Sequence, residues 1–318
     1  MKRVLCIVII AAFIVTLFGC APASSAADNY GSGLNIVTTI FPPYDFARAI
    51  TGGNANLTML IDPGAEVHTF DPTPDDIIKI QKADVFIYSG GENDAWVDQV
   101  LESTDTSHMT VLRMMDAVTP VEEETMEGMQ SEHEEAGESE EGPEYDEHIW
   151  TSPKNAILII DHIADALKKA DSANAAVYEK NAADYIAKIS ELDNEMQAVA
   201  DASQTKLLIV ADRFPFRYLT EEFGLDYRAA FSGCSSESEV SAGTLAYLID
   251  TVKESGIKYV YYIELSNQAV AKAVCEQTGT EMLLLHSCHN VTRDDFNAGV
   301  TYLQLMQGNL ENLKKGLK

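Results

Sequence analysis

The chain is 318 residues long and 46% hydrophobic, with 50 acidic against 22 basic side chains and a formal charge of −28. Such a charge argues against a nucleic-acid partner, whose phosphates call for Lys and Arg, and against a polybasic membrane contact. The length is too great for one comfortable core and suits two lobes of ordinary domain size.

Met1 to Cys20 reads as a secretory signal: Lys2 and Arg3 give the positive start, Val4 to Phe18 is apolar, and Leu17-Phe18-Gly19-Cys20 closes it. That tetrapeptide resembles a bacterial lipoprotein processing site, with Cys20 as the lipid-bearing residue. The apolar run is shorter than the roughly 20 residues that span a bilayer, and no later segment is long and apolar enough. The expected product is a soluble body, a monomer, anchored by lipid on the extracytoplasmic face of the cytoplasmic membrane. Residues 21–33 are small, polar and turn-rich, as a tether would be.

Short β-rich runs alternate with helical patterns from there on, the signature of parallel sheets covered by helices. An N-terminal lobe is expected over residues 34–172, with strands at Asn35 to Ile40, Leu57 to Ile61, Val85 to Ser89 and Val111 to Met114. Its helices are expected at Tyr44 to Thr51, Pro74 to Ala83, Ala95 to Leu101 and Pro153 to Lys169. Residues 119–147 interrupt this order. From 121 to 147 there are 13 Asp and Glu, one His and no Lys or Arg. Such a segment cannot bury enough surface to fold alone. It is either a solvated loop or a weak collector of divalent cations through its carboxylates and His133.

The stretch 173–203 predicts a single linking helix. Ala173 to Ala202 lacks Gly and Pro, and Tyr178, Ala182, Tyr185, Ile186, Ile189 and Leu192 recur at spacings of three and four. At 1.5 Å per residue it would run about 45 Å and act as a strut that limits lobe closure. A C-terminal lobe follows over residues 204–318. Strands are expected at Lys206 to Ala211, Asp226 to Phe231, Tyr259 to Ile263 and Met282 to Leu285. The helices are Phe216 to Phe223, Ala242 to Ser255, Asn267 to Thr278 and Phe296 to Leu317. The fold class is therefore α/β, two lobes with about four parallel strands each, joined by one long helix and unrelated by any sequence repeat.

Of five cysteines, Cys6 lies in the signal and Cys20 is the lipid site. Cys234 and Cys288 both lie in loops after C-terminal strands, so they could meet as a disulfide in an oxidising compartment. Metal ligation by Cys288 is the competing reading, and Cys275 is expected to be buried and inert.

His68 lies in Gly64-Ala65-Glu66-Val67-His68-Thr69-Phe70-Asp71-Pro72, in a loop at the carboxyl end of a strand, where open α/β sheets hold ligands. Alone it is either a satisfied loop histidine or a metal ligand. His148, Asp212 with Arg213, Glu264, and His286 with His289 fall in equivalent places, and their convergence on one cleft makes His68 a ligand candidate. His108 and His162 are expected to be structural.

On Gly64 to Pro74 and on Asp146-Glu147-His148-Ile149-Trp150-Thr151-Ser152-Pro153, separated by a charged insertion, the chain resembles the metal-binding lipoproteins of ABC importers for zinc and manganese, the cluster with a long linking helix. The resemblance covers nearly everything after the tether. It implies histidine ligands at His68 and His148, a third ligand position at Arg213, just before Phe216-Arg217-Tyr218, and a fourth at His286. Arginine cannot ligate a metal, having only donors. The insertion, His-rich in zinc members, is acidic here. The expected site is therefore His68, His148 and His286, completed by His289, Asp212 or water, with Arg213 paired to Glu264.

Three imidazoles suit Zn(II), at roughly 2.0–2.1 Å, better than Mn(II), which prefers oxygen. They bind only when neutral, so affinity should weaken below about pH 6. The implied role is an extracytoplasmic protein, not an enzyme, that captures Zn(II) and delivers it to an ABC permease. The alternatives are a Mn(II) or Fe(II) importer component, a surface adhesin, and a zinc hydrolase. No His-Glu-x-x-His motif supports the last.

Overall fold

The structure, a computed structural model, describes residues 33–130, 144–235 and 239–318. The expected signal, Cys20, nearly all of the tether, and His133 lie outside the described residues. Among the described residues no helix is long and apolar enough to cross a membrane.

Two four-stranded parallel sheets organise the chain. The first contains β1 (Leu34–Thr38), β2 (Ala55–Met59), β3 (Val85–Tyr88) and β4 (Thr110–Arg113), in the order β2-β1-β3-β4. The second contains β5 (Leu207–Arg213), β6 (Asp226–Phe231), β7 (Tyr259–Tyr262) and β8 (Glu281–Leu284), in the order β6-β5-β7-β8. The two orders are the same, so a repeat invisible in the sequence exists in the topology.

Helices α1 (Phe41–Thr51), α2 (Pro74–Gln81), α3 (Ala95–Ser103) and α4 (Pro153–Ala170) belong to the first half. In the second half are α6 (Arg217–Phe223), α7 (Ala242–Ser255), α8 (Ala269–Thr278), α9 (Arg293–Asn297) and α10 (Tyr302–Gly316). Local chemistry sets several starts. Thr73 and Asp76 form a reciprocal capping box with Pro74 at the first position of α2, and Ser152 caps α4 by accepting from Asn155 N.

Strand alternation divides the apolar side chains between layers. Ile36 faces the central core while Val37 joins the outer layer of the first sheet; Leu208 and Val210 face the central core while Ile209 and Ala211 face the outer layer of the second. The central core is continuous through both halves because α5 (Ala175–Ala202) runs between them. Its buried residues, Tyr178, Ala182, Tyr185, Ile189, Leu192, Met196 and Ala200, form a single stripe. At 28 residues the helix is about 42 Å long. It packs on α4, α1 and α10.

Asp45 fastens this junction. Its buried carboxylate accepts from Tyr185 Oη at 2.9 Å and Tyr302 N at 2.7 Å, and pairs with Arg48 at 2.5 Å. Arg48 in turn donates to Val300 O.

One expectation about these elements needs correction. The single helix over 296–317 is two, α9 and α10, because the chain turns at Gly299 with φ 74° and restarts at Thr301, which forms a capping box with Gln304. The acidic segment also does not float free at its ends. Glu122 pairs antiparallel with Tyr145, and Gln130 N donates to Ala230 O, extending the second sheet. Tyr218 Oη accepts from Val121 N at 3.0 Å and donates to Asp146 O at 2.8 Å. Partners elsewhere in the fold supply the order that the segment's composition cannot.

Candidate metal centre

A cavity of about 260 Å³ opens where the carboxyl ends of the two sheets meet, lined among others by His68, His148, His289, Arg213, Glu264 and Asn290. Its histidines come from three connections. His68 follows β2, His148 precedes α4, and His289 follows β8. One nitrogen from each lies within 4.8 Å of the other two. The ring centroids are 5.0 Å apart for His148 and His289, 5.2 Å for His68 and His289, and 6.1 Å for His68 and His148.

Two of the rings are held from behind and the third through its backbone. His148 is fully buried, and its Nδ1 lies 3.1 Å from Asp146 Oδ1, which also accepts the His148 backbone N–H at 2.7 Å. A carboxylate on Nδ1 keeps the proton there and leaves Nε2 as an acceptor. That Nε2 is buried with no hydrogen-bond partner among the described residues. Asn93 bridges His68 Nδ1, at 2.8 Å, to the Glu147 carboxylate. Gly91, with φ 121°, lets Glu147 seat there, since a Cβ would strike its side chain. His289 is fixed through its backbone, with N accepted by Ser287 Oγ at 3.1 Å. The neighbouring Asn290 Nδ2 donates to both Asp62 O and Ala65 O at 3.0 Å, which pins the His289 loop to the His68 loop. Trp150 Nε1 donates to Ser287 O at 2.8 Å and completes the tie between the halves.

The environment favours neutral imidazole at two positions and opposes it at one. Burial, then the nearby His148 and Arg213, pushes His68 down to about 4. Burial, then His148 and His68, pushes His289 well below the ordinary value. At His148 burial also disfavours charge, but Asp146 and Glu147 outweigh it and hold the ring above the usual imidazole range. Burial raises Glu147 to about 7 and lifts the Cys234 thiol well above its ordinary value.

Several side chains meet partners other than those expected. The third histidine beside His68 and His148 is His289, not His286. Cys288 takes a left-handed conformation, φ 62°, and its N–H donates to His286 Nδ1 at 2.9 Å. This turn engages His286 with its own loop and carries His289 to the cavity. Arg213 does not pair with Glu264. It reaches across to Glu66, at 3.2 Å, and to Ser235 O. Burial disfavours the charged Glu66, but Arg213 holds it below the usual carboxylate range. Glu264 instead accepts from Ser287 N at 2.7 Å and from Ser287 Oγ. Asp212, buried behind Arg213 and raised by that burial, is outside the three-histidine group.

Among the described residues Cys234 and Cys288 are free thiols and form no bridge. Cys275 is half-buried and accepts from Thr280 Oγ1. His108 lies at the surface with Nε2 on Gln81 O.

Asp146, Asn93, Glu147, Asn290 and Cys234 were not anticipated at the site. The Asp146-x-His148 spacing was a usable signal for the first. Nothing local marks Asn93, whose role depends on a partner in each of two distant segments.

Two parallel sheets around a long spanning helix, with a cleft where their carboxyl ends meet, define a two-lobed α/β ligand-binding protein. Residues 36–316 match the family described as ZnuA, zinc-uptake complex component A, periplasmic, and the chain belongs to that family. It is 33% identical over 285 residues to the zinc-binding lipoprotein AdcA of Streptococcus pneumoniae strain R6, covering 89% of this chain and 55% of that protein. The chain thus spans about half the length of the streptococcal relatives it matches. It is 31% identical over 313 residues to the high-affinity zinc uptake system protein ZnuA of Bacillus subtilis strain 168, covering 97% of this chain and 96% of that one. The crystal structure of the Zn(II)-bound ZnuA-like domain of S. pneumoniae AdcA superposes with a TM-score of 0.74 at 31% identity, covering 90% of this chain and 99% of that one.

Proposed function

We propose that this chain is a lipid-anchored extracytoplasmic binding protein that captures Zn(II) with His68, His148 and His289 and delivers it to an ABC permease. The observation that carries the reading is His148 Nε2, an acceptor buried without a hydrogen-bond partner and facing two further imidazoles. A buried acceptor left unpaired is costly, and a cation that it shares with nitrogens of His68 and His289 removes the cost. Asp146 behind His148 is the carboxylate partner that zinc-ligating histidines commonly have. Nitrogen donors favour Zn(II) over Mn(II), which leaves manganese or iron import as the alternative cargo reading. The zinc-binding lipoprotein and zinc uptake system protein among its relatives support the same assignment. The role is capture rather than catalysis, and the struts at Asp45, Asn290 and α5 suit a cleft that moves little.

Elemental analysis of protein purified without chelator, followed by competitive titration, tests this. Stoichiometric zinc, bound far more tightly than manganese, is the expected result. Manganese or iron in the purified protein, with zinc no tighter, would overturn the cargo.

A further inference from the structure

We propose that Cys234 supplies the fourth ligand, as a thiolate, to the ion held by His68, His148 and His289. The inference rests on the zinc-capture reading and specifies how that site is completed. Besides the three-histidine group, a second set of potential ligand atoms converges on His68. Cys234 Sγ, a Glu147 oxygen and a His68 nitrogen lie within 4.8 Å of one another.

The loop carrying Cys234 closes on the site. Its neighbour Gly233 sits so near His148 that a Cβ there would come within 3.2 Å of the ring. Of the two added donors, the Glu147 carboxylate is already engaged by Asn93 N, at 3.2 Å, and by the Asn93 side chain. Cys234 is a free thiol. Arg213, standing where a ligand was expected, is turned to Glu66 and cannot coordinate. His148 Nε2, fully buried and without a hydrogen-bond partner among the described residues, is an independent observation that calls for an ion here.

Zinc in a closed site takes four ligands, with Zn–S near 2.3 Å and Zn–N near 2.0–2.1 Å. Tetrahedral geometry at those lengths places donor atoms about 3.5 Å apart, so the three histidine nitrogens, within 4.8 Å of one another, and Cys234 Sγ, within 4.8 Å of a His68 nitrogen, move inward to complete the shell. Coordination forms the Zn–S bond and breaks the S–H bond, and the proton leaves to solvent. One thiolate reduces the charge buried with the ion, which three neutral imidazoles cannot do. A soft sulfur also discriminates against Mn(II).

Cobalt(II) substitution of the purified full chain reads the ligand directly, because a Co–thiolate bond has a near-ultraviolet charge-transfer band that imidazole lacks. The band is expected in the wild type, in Cys275→Ser and in Cys288→Ser, and absent in Cys234→Ser. Zinc affinity in Cys234→Ser should fall by roughly tenfold or more, the scale at which even outer partners of ligands act. Metal binding without the band, or a band that survives Cys234→Ser, overturns the thiolate ligand while leaving zinc capture intact. A wild type that takes up neither cobalt nor zinc overturns the capture reading and this inference with it.

Discussion

Replacing His289 with Ala, beside His286→Ala, separates the ligand from its neighbour. Structural zinc sites bind with about 10–16 kcal/mol over four ligands, so one imidazole is worth about 3 kcal/mol, or about a hundredfold in Kd. Ligand-linked stabilisation follows RT ln(1 + [L]/Kd), so the zinc-induced gain in unfolding free energy should shrink by about 2.7 kcal/mol in His289→Ala. The buried ring also packs 4.9 Å from Trp150, centroid to centroid, so the metal-free variant should be less stable than wild type as well.

His286→Ala behaves oppositely. It leaves the Cys288 N–H without its acceptor, costing about 1–3 kcal/mol of metal-free stability, while the zinc-induced gain is retained. Competitive titration against a chromophoric chelator, with urea unfolding at fixed zinc excess, measures both quantities. A hundredfold loss in His286→Ala with wild-type affinity in His289→Ala would refute the placement of the ligands.

Further outcomes follow from the same geometry. Because His68 stays neutral down to about 4 and His289 lies well below its ordinary value, only His148, held above the usual 6.5, competes with zinc for an imidazole proton near neutrality. Zinc binding should therefore weaken as falling pH protonates His148, with one imidazole proton displaced on binding beside the proton that Cys234 gives up; calorimetry in buffers of differing ionisation heat counts them, and a count that requires all three imidazole protons would contradict the assignment. Arg213→Gln removes a cation near the site and should tighten zinc by roughly threefold to tenfold, with stability changed by less than about 1 kcal/mol because Glu66 is exposed. Weaker zinc binding in that variant would mean the Arg213–Glu66 pair holds the His68 loop. Asp45→Ala strands the Tyr185 and Tyr302 donors and should lower stability by about 3 kcal/mol by urea unfolding; a change under about 1 kcal/mol would show that the α1–α5–α10 junction does not depend on it.

Strand and helix identities were legible because they rest on local periodicity. Asp226–Phe231 and Ala242–Ser255 coincide with the expected limits, and the buried stripe of α5 is the three-and-four spacing read from the chain. The helix break at Gly299 was missed because one glycine in a periodic run marks an end only when the next turn is capped by its own Thr301 box.

Sequence by itself determined the alternation that builds two parallel sheets, the helix that spans them, and the histidine-bearing loops at strand ends. Tertiary structure alone decided which of those side chains meet. His286 and His289 are three residues apart, and the left-handed turn at Cys288 separates their fates. Arg213 was expected to pair with Glu264, and the meeting of the two halves gave it Glu66 instead. Periodicity is a property of neighbours along the chain, whereas a binding site is assembled from neighbours in space, so only the folded chain brings Cys234 and Glu147 to the side of His68.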